Sequence, residues 1–195
     1  MIPLPFTGLG AIPFWIAFWW AFAAELPFMR RDRVTNATPT DRRSMLVVLL
    51  AGGFATLLAF LFAGAVRRST IVPARVPLYA TGIASLVAGG WLRRHCFRML
   101  GESFTYDVRV RNGQAVVERG AYRYVRHPSY AAGLLLFGGI GLSLTNWLSL
   151  AVAIALPAAA YAYRIAVEER ALVETLGSTY VGYMKRTRRL IPFAF

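Results

Sequence analysis

Cysteine is nearly absent from this chain of 195 residues: Cys96 is the only one, so neither an internal disulfide nor a thiolate metal cage is available. Histidine is almost as scarce, and His95 and His127 are too few for a convincing metal site, so no metal is expected. Acidic residues number nine against 22 Lys and Arg, which leaves a net charge of +13. No dinucleotide-type glycine fingerprint occurs, which counts against a soluble nucleotide-binding fold but not against cofactor binding. Nothing repeats at a fixed period and no stretch has the composition of a disordered linker, so residues 1–195 read as one domain.

What the chain has in excess is apolar sequence. With 57% apolar residues and a mean hydropathy of +0.49 it exceeds the roughly half expected of a soluble domain, and it reads as an integral membrane protein. Crossing a hydrocarbon core about 30 Å thick takes roughly 20 helical residues. Five blocks approach that length: Ile12 to Phe28, Met45 to Val66, Val76 to Leu92, Pro128 to Thr145 and Trp147 to Tyr163. Only Asn146 separates the last two, which therefore form a tight helical hairpin.

The charge has an economical explanation in topology, without nucleic acid as a partner. The links after the first and third blocks and the tail after the fifth hold nineteen Lys and Arg, whereas the two remaining links hold three. By the positive-inside rule the N-terminus lies outside and the C-terminus in the cytosol. No Lys or Arg precedes Arg30, so the first block lacks the basic region of a cleavable signal peptide and reads as a retained anchor.

Residues 1–99 read as scaffold, with Gly52-Gly53 and Gly89-Gly90 marking close helix approaches. Glu25 is the one acid of the first block, either structural or functional. In the second half, residues 100–195, β-prone runs flank Asn112-Gly113 and predict a small hairpin or flap. The fifth helix continues beyond the membrane to a stop at Gly177, after which Ser178 caps a short basic helix ended by Pro192.

Two polar clusters stand at the mouths of the last hairpin. Arg119-Gly120-Ala121-Tyr122-Arg123-Tyr124-Val125-Arg126-His127-Pro128-Ser129-Tyr130 runs into the fourth block, where Pro128 suits the first helical position. The N–H groups of Ser129, Tyr130 and Ala131 then face the cytosolic mouth and make a site for a carboxylate or phosphate, reinforced by Arg126 and His127. The alternative is that Arg123, Arg126 and His127 only hold lipid headgroups. At the other mouth Arg164 and Glu168 share a helix face at i,i+4 spacing, with Glu169 beside them. Those acids either receive ligand hydroxyls or an amine, or form a solvated helix end. The short hairpin forces the two mouths together.

The pattern Gly120-x-Tyr122-x-x-x-Arg126-His127-Pro128-Ser129-Tyr130, then Arg164-x-x-x-Glu168-Glu169-x-x-Leu172-x-x-x-x-Gly177-x-x-Tyr180-x-x-Tyr183 and Ile191-Pro192-Phe193, closely resembles the isoprenylcysteine carboxyl methyltransferase family. The resemblance covers roughly residues 100–195, and the Arg-His-Pro-x-Tyr element is shared with membrane phospholipid N-methyltransferases and some sterol reductases. Family members usually carry Gly where this chain has Ala132, with Gly133 next.

The resemblance implies an all-α membrane bundle of five transmembrane helices with a small C-terminal cytosolic subdomain that binds S-adenosylmethionine. A lipophilic or lipidated substrate would enter from the bilayer. It implies cofactor contacts from Tyr122, Arg126, His127, Pro128, Ser129, Tyr130, Glu168, Glu169, Tyr180 and Tyr183. Arg164 is the candidate for steering a substrate carboxylate, and Glu168 is the second catalytic candidate, becoming a base if the nucleophile is an amine. The implied reaction is carboxyl methylation of an isoprenylcysteine-like thioether acid. N-methylation of a phospholipid or other lipid amine, NADPH-dependent reduction of a sterol or polyprenyl lipid, and a non-catalytic scaffold for anionic lipids are the alternatives.

Overall fold

Away from water a backbone must satisfy its own polar groups, so long apolar blocks become helices. The computed structural model describes residues 2–23, 43–101 and 116–190. They form six α-helices: α1 (Gly8–Ala23), α2 (Arg43–Ala65), α3 (Arg75–Leu100), α4 (Pro128–Ser143), α5 (Trp147–Leu176) and α6 (Ser178–Arg186). The described residues contain no strand, only two isolated bridges, so the expected all-α class is met. The turn expected at Asn112-Gly113, Glu25 and the terminal Ile191-Pro192-Phe193 lie outside the described residues.

Two boundaries differ most from the sequence reading. α1 begins at Gly8 rather than Ile12, and α3 runs past Leu92 to Leu100. That extension carries Arg93, Arg94 and Arg98, good helix formers that continue the helix beyond the apolar stretch until Gly101, at φ +54°, ends it. Gly177, at φ +55°, terminates α5 as expected, but it also stands at the cap position of α6, with Ser178 already inside that helix.

α2 is inverted relative to a helix of a soluble protein. Its small residues Gly52, Ala55, Ala59 and Ala63 are buried, whereas Leu46, Leu49, Leu50, Phe54, Leu57 and Leu61 are exposed. Water would penalise such a surface by about 1.5–3 kcal/mol per large side chain, and lipid does not. α2 and α5 are long and apolar enough to cross a membrane, while α1 and α4 are apolar but shorter, at 16 residues each.

Glycines set the closest approach, between α3 and α4. A Cβ at Gly82 would lie 2.5 Å from Ser143 N, one at Gly139 2.8 Å from Gly82 O, and one at Gly89 2.9 Å from Ala132 O. Gly90 faces Ala21 of α1 and Gly52 faces Phe137, whereas no described residue lies within 4 Å of a Cβ at Gly53. Beside this seam Phe14, Leu86, Leu136, Ile140 and Leu144 form the core.

The links sort by end. Ile71 N donates to Thr145 O at 2.8 Å and Asn146 Nδ2 to Val66 O at 3.0 Å, so the α2–α3 link and the α4–α5 turn meet. Asn146 also caps α5, accepting from Ser149 N at 3.1 Å. The opposite end collects the start of α2, the end of α3, the start of α4 and the polar half of α5.

Candidate functional site

Gly120 opens the approach to α4. Its φ of +60° suits glycine, and a Cβ there would lie 3.2 Å from both His95 Nε2 and Met99 Sδ at the end of α3. The turn Gly120–Arg123 follows, and Pro128 begins α4 at its first position as expected. Between them the chain is zipped to the residues after α6: Arg188 N donates to Tyr124 O at 3.0 Å, Arg126 N to Arg188 O at 2.7 Å and His127 N to Arg189 O at 3.0 Å. Tyr183 adds its hydroxyl, which donates to Tyr122 O at 2.6 Å.

Glu169 is the node of this end. Its Oε1 accepts from Arg126 Nε at 2.8 Å and lies 3.2 Å from His127 Nε2, while Oε2 accepts from Arg189 Nε at 3.2 Å. Arg126 Nη1 also donates to Met184 O at 3.1 Å and Thr187 O at 2.5 Å. Only 7% of the Glu169 side chain and 8% of that of Arg126 remain exposed. Burial by itself would raise the Glu169 carboxyl, but the hydrogen bonds and charges of His127 and Arg126 outweigh it and hold the group down at about 2. The charged form is therefore fixed, and three segments of chain are tied to it.

Its neighbour Glu168 behaves differently. Oε2 accepts from Tyr130 Oη at 2.7 Å and lies 3.9 Å from His127 Nδ1, and 31% of the side chain is exposed. The Tyr130 hydroxyl in turn accepts from Arg164 Nε at 3.3 Å, and Arg164 Nη1 donates to Ser44 Oγ of α2 at 2.6 Å. A chain of polar groups thus runs from α2 through Arg164 and Tyr130 to Glu168. The rings of His127, Tyr130 and Tyr161 stack in a column with centroids 5.6 and 5.0 Å apart. Gly133 makes that column possible, since a Cβ there would lie 2.3 Å from Tyr161 Oη. The close approach beside the Ala132 departure therefore rests on Gly133 and on Gly89.

The two mouths meet as expected, with Tyr122, Arg126, His127, Tyr130, Arg164, Glu168, Glu169 and Tyr183 joined in these networks and Pro128 leading Ser129 into α4. Tyr180 is buried on α6 with its ring centroid 5.8 Å from that of Tyr183. Burial raises the phenols of Tyr122 and Tyr180, and pushes Tyr183 up to about 12, so these side chains stay neutral. One expectation changes. The N–H groups of Tyr130 and Ala131 turn back to His127 O, at 3.1 and 3.3 Å, instead of facing the mouth. Arg126 likewise serves the clamp around Glu169.

Sequence reasoning passed over Ser44, Thr187, Arg189 and Arg93, whose Nη1 donates to Ser129 O at 3.1 Å. A single serine at the head of an apolar block carries no periodic or motif signal. Chemically, the described groups offer an accessible carboxylate in Glu168, a guanidinium in Arg164 and aromatic faces. That set matches a ligand that carries an amine or hydroxyls, an anion and a cationic group able to lie on an aromatic face.

The comparisons with known proteins agree with the motifs. The family model described as phospholipid methyltransferase matches residues 77–179. Protein-S-isoprenylcysteine O-methyltransferase B of Arabidopsis thaliana is 33% identical over 115 residues, covering 57% of this chain and 58% of the relative. Protein-S-isoprenylcysteine O-methyltransferase of Saccharomyces cerevisiae is 31% identical over 114 residues, 57% of this chain and 48% of the relative. This chain thus spans about half the length of these two relatives. A probable protein-S-isoprenylcysteine O-methyltransferase of Oryza sativa subsp. indica is 24% identical over 182 residues, 89% of this chain and 95% of the relative. Among solved structures, the eukaryotic intramembrane Ras methyltransferase, isoprenylcysteine carboxyl methyltransferase, superposes with a TM-score of 0.57 at 20% identity. It covers 91% of this chain and 63% of that one, and the fold is shared.

Proposed function

Because the chain belongs to the phospholipid methyltransferase family, we propose that it is an integral membrane, S-adenosylmethionine-dependent methyltransferase that esterifies the carboxylate of an isoprenylcysteine-like lipid. The observation that carries this reading is the Tyr130 hydroxyl, which joins Arg164 to Glu168. One end of that bridge offers a cation for a carboxylate, the other an acid for the cofactor's ammonium or ribose. His127, Tyr122, Tyr180, Tyr183, Pro128 and Ser129 belong to the wall of the cofactor site, and Arg126 with Glu169 frames it. Residues 100–195 would form the cytosolic, cofactor-binding part and residues 1–99 the scaffold.

The five helices α1 to α5 would each cross the membrane. At about 1.5 Å per residue the 16-residue α4 reaches about 24 Å, which a thinned bilayer accommodates. The N-terminus would lie outside and the site in the cytosol, as the distribution of Arg suggests.

When bound, S-adenosylmethionine supplies an electrophilic methyl group: the carboxylate oxygen forms the new O–C bond, and the electron pair of the broken S–C bond stays on sulfur, giving ester and S-adenosylhomocysteine. A carboxylate is already ionised at neutral pH, so the protein needs no general base. Its part is to hold the carboxylate in line and exclude water, an orientation effect worth up to about 7–11 kcal/mol. Arg164 holds the anion and Tyr130 holds Arg164.

Membrane preparations of the full chain should transfer a methyl group to a farnesylcysteine acid, at a rate flat from about pH 6 to 9, and should be heat-stabilised by S-adenosylhomocysteine and not by NADPH. Transfer to ethanolamine lipids, with a rate rising as an amine of pKa about 8–10 deprotonates, would replace this reading with N-methylation and make Glu168 the base. Stabilisation by NADPH alone would indicate a reductase.

A further inference from the structure

Arg164 is 4% exposed, and its fork is gripped at two corners by hydroxyls from two other helices. Tyr130 of α4 accepts from Nε and Ser44 of α2 accepts from Nη1. A guanidinium is a rigid plane, so two anchors on different edges fix both its position and its rotation.

Ser44 itself is fully buried at the second residue of α2. Its hydroxyl meets a guanidinium 120 positions away in sequence. It also lies outside residues 77–179, so nothing in the family match assigns it.

We propose that Ser44 is a positioning residue that, through Arg164, sets recognition of the free carboxylate of the substrate. The proposal rests on the reading of Arg164 as the group that receives that carboxylate. Losing one hydrogen bond to a charged group should weaken recognition of the acid by about tenfold. Binding of the cofactor product, which involves the other end of the Tyr130 bridge, should be untouched.

The full-length protein in detergent or nanodiscs tests this with two probes, N-acetyl-S-farnesylcysteine and its carboxamide, which differ only in the anion. Ser44→Ala should raise both Kd and KM for the acid about tenfold, change Kd for the carboxamide by less than twofold, and keep the thermal shift given by S-adenosylhomocysteine. Ser44→Thr, which retains the hydroxyl, should recover most of the loss. On an Arg164→Lys background, where the fork is already gone, Ser44→Ala should add less than twofold. Equal weakening of acid and carboxamide, or a lost S-adenosylhomocysteine shift, would make Ser44 a packing residue and overturn the proposal. Unchanged acid affinity would overturn it as well. If the wild-type protein fails to discriminate acid from carboxamide, the role of Arg164 falls and the proposal falls with it, while a retained S-adenosylhomocysteine shift would leave the cofactor reading standing.

Discussion

Adjacent glutamates in contrasting surroundings give the sharpest test of the site. Glu169→Gln keeps shape and one acceptor but removes the charge that Arg126 and His127 face, with Arg126 only 8% exposed at its side chain. Breaking a buried pair by removing one partner costs about 3–5 kcal/mol. The amide still accepts one bond, so the low end, about 3 kcal/mol, applies. In a chain of this size each kcal/mol moves the melting temperature by roughly 2–4 °C, so a fall of about 6–12 °C is expected. The half-exposed Arg189 adds little to that figure. Glu168→Gln touches a carboxylate that is 31% exposed and bonded to the Tyr130 hydroxyl, for which an amide oxygen substitutes. Its cost should stay below about 1 kcal/mol, a shift under about 4 °C. The ligand response should reverse the order. At a hundredfold excess over Kd, S-adenosylhomocysteine stabilises by about 2.7 kcal/mol, and Glu168→Gln should lose that increment while Glu169→Gln retains most of it. Thermal unfolding of both variants, with and without S-adenosylhomocysteine, provides the measurement. Equal destabilisation by the two variants, or an unchanged ligand shift in Glu168→Gln, would refute the division of roles.

Acid should attack the same clamp. The Glu169 carboxyl is lowered to about 2 from its ordinary 4.5, so its stabilisation is complete above pH 4.5 and is lost as pH falls towards 2; melting scans of wild type should show this acid limb, and Glu169→Gln should lack it. Gly133→Ala would put a Cβ 2.3 Å from Tyr161 Oη, and the forced shift should cost about 1–3 kcal/mol and reduce kcat/KM, because Tyr130 stacks on Tyr161 and holds Arg164. Tyr183→Phe removes the donor to Tyr122 O and should destabilise by about 1 kcal/mol in the same melting assay, with little effect on KM for the lipid acid.

Local signals carried much of the architecture. Pro128 at the first position of α4 and Gly177 after α5 are punctuation that acts within one or two residues, and both stand where the sequence puts them. The short link at Asn146 obliges α4 and α5 to run antiparallel, which alone brings His127 and Tyr130 opposite Glu168 and Glu169. Boundaries were less legible at α3, where polar, helix-favouring residues extend the helix to Leu100. The start of α6 differs by one residue, because Gly177 serves both the end of one helix and the cap of the next.

The sequence by itself determined that this is a helical membrane bundle with a basic, polar site at one end, because apolar length, helix punctuation and charge asymmetry depend only on nearby residues and on the solvent they meet. Tertiary structure alone decided which acid is buried. Neighbouring helical residues point about 100° apart, so the rotation of α5 against α4 and the residues after α6 buries Glu169 among Arg126, His127 and Arg189 and leaves Glu168 open. It also brought Ser44 to Arg164, a meeting that no local pattern encodes because it depends on how α2 packs against α5.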